Sequence, residues 1–271
     1  MSHYILVPTD FSDVCLNALD HGAQIAKILK AKLLILHVIN KNTKVYLARI
    51  NQGPEYVNVK LNNLAGDVQK KYGLEVEVLS RHGSIFKTIK QVGLEKGISI
   101  MVMGTHGKYG LQHLVGSAAV RVILGVEIPV IVVQKRIFGE GIKKIVLPIS
   151  LDNDFLVKLD WVVEMAGLFN SEILIFQMDS PDKKIRSAMD NIRKLITSKL
   201  HMENIPFQLK ESDKNENFSK ALLNYAIVNR ADMIIVTLAK NKLDPLPMLS
   251  TEEEMLIYSS SQIPVMCLNP A

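Results

Sequence analysis

The sequence predicts an α/β protein built from two tandem, doubly wound parallel sheets, and three observations predict it. Short apolar runs, such as 33–38 (LLILHV) and 98–103 (ISIMVM), alternate with stretches of helical spacing. Strands covered by helices on both faces read this way. Glycine or proline marks most of the joins between them. The pattern then restarts: 144–150 repeats 4–10 with Pro148 in the place of Pro8, 231–236 repeats 98–103, and 263–265 repeats 128–130, at offsets of 140, 133 and 135 residues. Two copies of one unit explain such offsets, and domains over 1–138 and 142–271 follow.

In the first copy, the strand at 4–7 runs into Pro8-Thr9-Asp10-Phe11-Ser12-Asp13, where Ser12 or Asp13 is placed to cap a helix carrying Ala18, Ile25, Ala26 and Leu29 on one face. The second strand is 33–38. The polar stretch 40–54, with Gly53-Pro54, reads as an irregular lid or surface excursion. A helix over 55–72 stops at Gly73, and the alternating strand 75–79 (EVEVL) suits a sheet edge. Gly83-Ser84 opens a helix ending at Gly97. The fourth strand, 98–103, meets Gly104; Gly107 and Gly110 follow, Gly116-Ser117 opens the next helix, and 128–133 is the fifth strand. Five strands alternating with helices place helices on both faces of each sheet.

Composition narrows the function classes. A chain of 271 residues with 48% hydrophobic and 22% charged residues buries a core, which excludes disorder. No apolar run approaches the ~20 residues of a membrane span, and the first residues lack a basic, signal-like segment, so the expected location is the cytoplasm. Cys15 and Cys267 lie among apolar neighbours and read as buried thiols. Residues 1–140 hold 17 Lys and Arg against 10 Asp and Glu, a surplus that suits an anionic ligand. Without a basic run interleaved with aromatics, no nucleic-acid surface is expected.

A strand, a glycine-rich loop and a helix start, in that order, form a cradle for phosphate. The loop matches neither the Walker spacing nor the dinucleotide fingerprint. Gly104, Gly107, Gly116 and Ser117 would face the phosphates; in the bland alternative the glycines permit a turn and Ser117 caps a helix. His106 and Lys108, within the loop, read as solvated side chains. The second copy lacks these features: Ser150 stands for Asp10, Thr237 and Lys240 for Gly104 and Gly107, and Thr251-Glu252, followed by Glu253 and Glu254, for Gly116-Ser117.

Pro8-Thr9-Asp10-Phe11-Ser12, Leu36-His37-Val38 and Met103-Gly104-Thr105-His106-Gly107 resemble the motifs of the universal stress protein family, and nearly the whole chain resembles two such domains in tandem. The resemblance implies two flavodoxin-like (adenine nucleotide alpha hydrolase-like) domains with five parallel strands in the order 3-2-1-4-5. It implies a ligand, ATP or a related adenine nucleotide with or without Mg2+, at the point where strand order reverses. By position, Asp10 would hold the ribose. The backbone around Thr9 and Val38 would hold the adenine edge, and Gly104, Gly107, Gly116 and Ser117 would wrap the phosphates, with Pro8, Met103 and Thr105 also in the binding site. The family's ATP pattern is G-x2-G-x9-G-[ST], and the segment from Gly107 to Gly116 is one residue shorter here. The implied partners are the nucleotide and the second domain, paired within the chain as two single-domain chains pair in a dimer, with a further homodimer left open. The resulting function is nucleotide-gated regulation in the stress response. A nucleotide-independent scaffold and a slow ATP hydrolase remain as alternatives, the last without an identifiable general base.

Overall fold

The computed structural model describes residues 4–105, 115–150, 155–213, 216–238 and 249–269. These residues fall into two compact units, the first ending at Phe138 and the second beginning at Gly139. The first comprises β1 (Tyr4–Pro8), α1 (Asp13–Leu29), β2 (Lys32–Ile39), α2 (Lys41–Arg49), α3 (Glu55–Tyr72), β3 (Val76–His82), α4 (Ile85–Lys96), β4 (Ile98–Gly104), α5 (Val115–Gly125) and β5 (Val130–Val133). Its strands are all parallel, in the order β3-β2-β1-β4-β5. The chain steps from β1 through β2 to β3, then crosses back to β4 and β5. Right-handed crossovers therefore put α1 and α3 on one face and α4 and α5 on the other.

Burial follows the apolar runs. Ile5, Leu6, Val7, Leu33, Leu34, Ile35, Leu36, Met101 and Val102 are fully enclosed, as expected of strands covered on both sides. The edge strand β3 is half-exposed along most of its length, and the ion pairs Lys96–Glu77 and Arg81–Glu95 cover it. Helices α3 and α4 end at Gly73 and Gly97, which adopt the left-handed conformation (φ 68° and 62°) that lacks a steric penalty only for glycine.

The stretch 40–54 corrects the expectation of irregular structure, because residues 41–49 form α2. Asn40 caps it, its side chain accepting from the Thr43 N–H at 3.0 Å. Only Leu47 of its nine residues is buried, so no apolar stripe announces the helix in the sequence. With so little burial, α2 depends on its cap. Asn40→Ala is expected to cost about 1 kcal/mol, measurable as a shift in the urea midpoint of the first unit.

The second unit comprises β6 (Lys144–Ile149), α6 (Phe155–Phe169), β7 (Glu172–Gln177), α7 (Lys183–Met202), β8 (Phe207–Glu211), α8 (Phe218–Val228), β9 (Met233–Thr237), α9 (Thr251–Ile257) and β10 (Val265–Leu268). Its parallel strands run β8-β7-β6-β9-β10, the order of the first unit. Both cysteines are buried free thiols; burial, with Asp10 adding its charge, pushes the Cys15 thiol up to about 12. Among the described residues, no helix is long and apolar enough to cross a membrane.

Candidate functional site

The carboxyl ends of β2, β1 and β4 lie side by side in the first unit, with the reversal of strand order between β1 and β4. This is where an open α/β sheet leaves a crevice, because successive connections depart in opposite directions. Pro8, Thr9 and Asp10 reach it from β1, Val38 from β2, and Met103, Gly104 and Thr105 from β4. Gly116 and Ser117 fall within the first turn of α5, whose first residue is Val115. Gly107, His106 and Lys108 lie outside the described residues.

A turn between β1 and α1 sets the geometry. Buried Thr9 donates its N–H to Leu36 O at 2.8 Å, and its hydroxyl accepts from Phe11 N–H at 3.0 Å. The exposed Asp10 accepts from Ser12 N–H through Oδ1 at 2.9 Å. Ser12 occupies the cap position of α1, yet its hydroxyl caps nothing, and Asp13 is already in the first turn. The sequence expectation of a Ser12 or Asp13 side-chain cap is thus corrected. Thr9 and Asp10 bind the N–H groups upstream of the helix, and Phe11 adopts φ 67°, a conformation unusual for a bulky residue.

That turn presents the Phe11 ring to His37. The two rings stack at 4.8 Å between centroids with a 25° interplanar angle, and Lys60 Nζ of α3 sits 4.2 Å from the centroid of the Phe11 ring. His37 is buried and donates from Nδ1 to Thr9 O at 2.7 Å; its Nε2 lies 3.0 Å from Thr43 Oγ1. Burial lowers its pKa from the ordinary imidazole value; the Thr9 carbonyl and Asp10 oppose that shift, and Lys60 reinforces it.

On the β4 side, packing gives Gly104 a reason to be glycine. A Cβ there would stand 2.6 Å from Val14 O and 2.8 Å from Val14 Cγ1, so α1 packs directly on its backbone. Thr105 is 1% exposed and donates its N–H to Val133 O at 2.9 Å, while its hydroxyl has no hydrogen-bond partner among the described residues. An unpaired buried hydroxyl is costly, and one at the end of β4 suits a polar ligand. Among the described residues, no three His, Cys, Asp or Glu side chains gather as a metal site. Sequence reasoning overlooked Phe11, Thr43 and Lys60 here. Only the Asn40-x-x-Thr43 pattern carried a local signal, that of a helix cap.

The corresponding end of the second unit differs chemically. The Ser250 hydroxyl accepts from Glu253 N–H at 3.2 Å while Glu253 Oε2 accepts from Ser250 N–H at 2.6 Å, a reciprocal capping box. Glu252, Glu253 and Glu254 all lie in the first turn of α9, whereas the first turn of α5 carries no acidic side chain. Ser150 and Thr237 stand where the first unit has Asp10 and Gly104, and Lys240 lies outside the described residues.

The sequence model described as the Universal stress protein family matches residues 1–134. Universal stress protein MJ0531 of Methanocaldococcus jannaschii is 32% identical over 139 residues, covering 48% of this chain and 81% of that protein. Universal stress protein MJ0577 of the same organism is 30% identical over 153 residues, covering 49% of this chain and 94% of that protein. The crystal structure of a universal stress protein from Archaeoglobus fulgidus matches 99% of this chain and 98% of its own, with a TM-score of 0.78 at 17% identity, a likeness of fold. With relatives at this identity matched over most of their length, the chain belongs to the universal stress protein family.

Proposed function

We propose that the first unit binds ATP or a related adenine nucleotide as a regulatory ligand, and that the second unit keeps the fold as a structural partner without binding. The carrying observation is the contrast between the two helix ends. The first turn of α5 is free of carboxylates and contains Gly116 and Ser117, whereas α9 is closed by the Ser250–Glu253 capping box and holds three glutamates in its first turn. A helix N-terminus attracts phosphate through its unpaired N–H groups and dipole; a first-turn carboxylate uses that attraction itself, stabilising the helix by about 0.3–1 kcal/mol, and repels an incoming phosphate. Asp10 would accept from the ribose hydroxyls, and the Thr105 hydroxyl offers a buried donor beside the phosphates. Mg2+, where it accompanies ATP, belongs to the same proposal, as does a role in the cytoplasm.

Titration calorimetry of the nucleotide-free chain with Mg-ATP tests this. One ATP per chain is expected. Two would mean that the α9 end also receives phosphate, and the asymmetry would be wrong. A scaffold role without nucleotide is the second reading, favoured by the engagement of Thr9, whose N–H and carbonyl are both already hydrogen-bonded. Absence of binding at millimolar ATP would favour it.

A further inference from the structure

Helix α2 reaches the end of β2 through a short relay. His37 Nδ1 lies 2.7 Å from Thr9 O, an oxygen that can only accept, so Nδ1 carries hydrogen and Nε2 of the neutral ring carries a lone pair. Thr43, 3.0 Å from Nε2, therefore donates its hydroxyl hydrogen to it. The same hydroxyl lies 3.4 Å from Val38 O and 3.3 Å from Asn40 Oδ1, the latter already accepting from Thr43 N–H. Val38 O accepts from Asn40 N–H at 2.9 Å, and a carbonyl has two lone pairs. Leu36 O points to β1, where it takes Thr9 N–H, and Ile39 O points to β3, where it takes Gly83 N–H. Strand alternation thus turns Val38 O toward β1 and the candidate site.

Resting on the adenine-nucleotide reading above, we infer that His37 and Thr43 are a proton-operated selector of the purine edge. With His37 neutral, Val38 O keeps a lone pair for the 6-amino group of adenine. When His37 takes up a proton from solvent at Nε2, the new N–H donates to Thr43 Oγ1. The hydroxyl hydrogen then turns to the acceptors on its other side, Asn40 Oδ1 and Val38 O, and on Val38 O it occupies the lone pair that the amino group needs. One N–H bond forms and no atom leaves. The groups facing His37 are Asp10 from the β1–α1 turn, which favours the proton, and Lys60 from α3, which opposes it. Neutral Thr43 faces it from α2, and Ser80 of β3 lies alongside in register. Burial sets the transition on the acid side of the ordinary imidazole range.

The test compares ATP with inosine triphosphate, which carries an oxygen in place of the amino group, by calorimetry of the full chain from about pH 8 to about pH 5. Protonation of phosphate and the added imidazolium charge affect both ligands alike and cancel in the affinity ratio. The preference for ATP is expected to fall about 5–10-fold on acidification, the loss of one hydrogen bond. In Thr43→Val the ratio should no longer change with pH, and Thr43→Ser should restore the change. A ratio that stays flat in the parent chain, or that changes equally in Thr43→Val, overturns the selector while leaving the nucleotide site intact. Failure of ATP to bind at any pH overturns the site and the selector together.

Discussion

An alanine at position 104 is expected to destabilise the first unit by about 1–3 kcal/mol with no nucleotide present. The reason is a clash with backbone: the added Cβ would meet Val14 O at 2.6 Å, and Val14 belongs to the first turn of α1, which the Thr9–Ser12 turn holds in place. Relief requires moving α1 or the end of β4, and those two elements frame the candidate site. Urea unfolding of the chain should show an earlier transition for the first unit and an unchanged one for the second. If Gly104 serves only to admit phosphate, Gly104→Ala will unfold with the parent and lose only ATP affinity. That result would remove the packing account.

Asp10→Ala is expected to weaken ATP binding about 10–100-fold, the range for hydrogen bonds to a charged acceptor. The same side chain holds Ser12 N–H at 2.9 Å, so the alanine variant also loses part of the turn entering α1. Asp10→Asn separates the two roles. Its amide oxygen can still accept from Ser12 N–H while the negative charge is gone, so stability should return to the parent value and affinity should lie between parent and alanine. Equal ATP affinity for parent and Asp10→Ala, measured by calorimetry, would remove Asp10 from the site.

Fold and site were unequally legible from sequence. Runs such as LLILHV announce buried parallel strands by composition alone, and Gly73 and Gly97 mark helix ends through a conformation that glycine adopts without steric cost. The strand order came from the family resemblance and is the order found. Helix α2 escaped because its stabilising feature is one cap and one buried leucine, with no periodic face to read. Ser12 misled for a related reason. It stands at the right position, but Thr9 and Asp10 hold the neighbouring N–H groups, a choice made by the geometry of the turn. Gly104 was read as phosphate-facing because its contact with Val14 joins residues distant in the chain. The His37–Thr43 relay was invisible because it depends on the side-chain orientation that α2 imposes.

The reciprocal cap on α9 bears on how the two halves of such a chain can diverge. Opening that helix end to an anion means replacing Ser250 and Glu253, which now hold one another's N–H groups. Loss of the Ser250 cap alone costs about 1 kcal/mol before any ligand compensates. An acidic residue at 150 and a glycine at 237 would also have to appear. Loss of the cap lowers the stability of the second unit before a ligand can compensate, so selection acting one substitution at a time meets an uphill first step toward a second receptor.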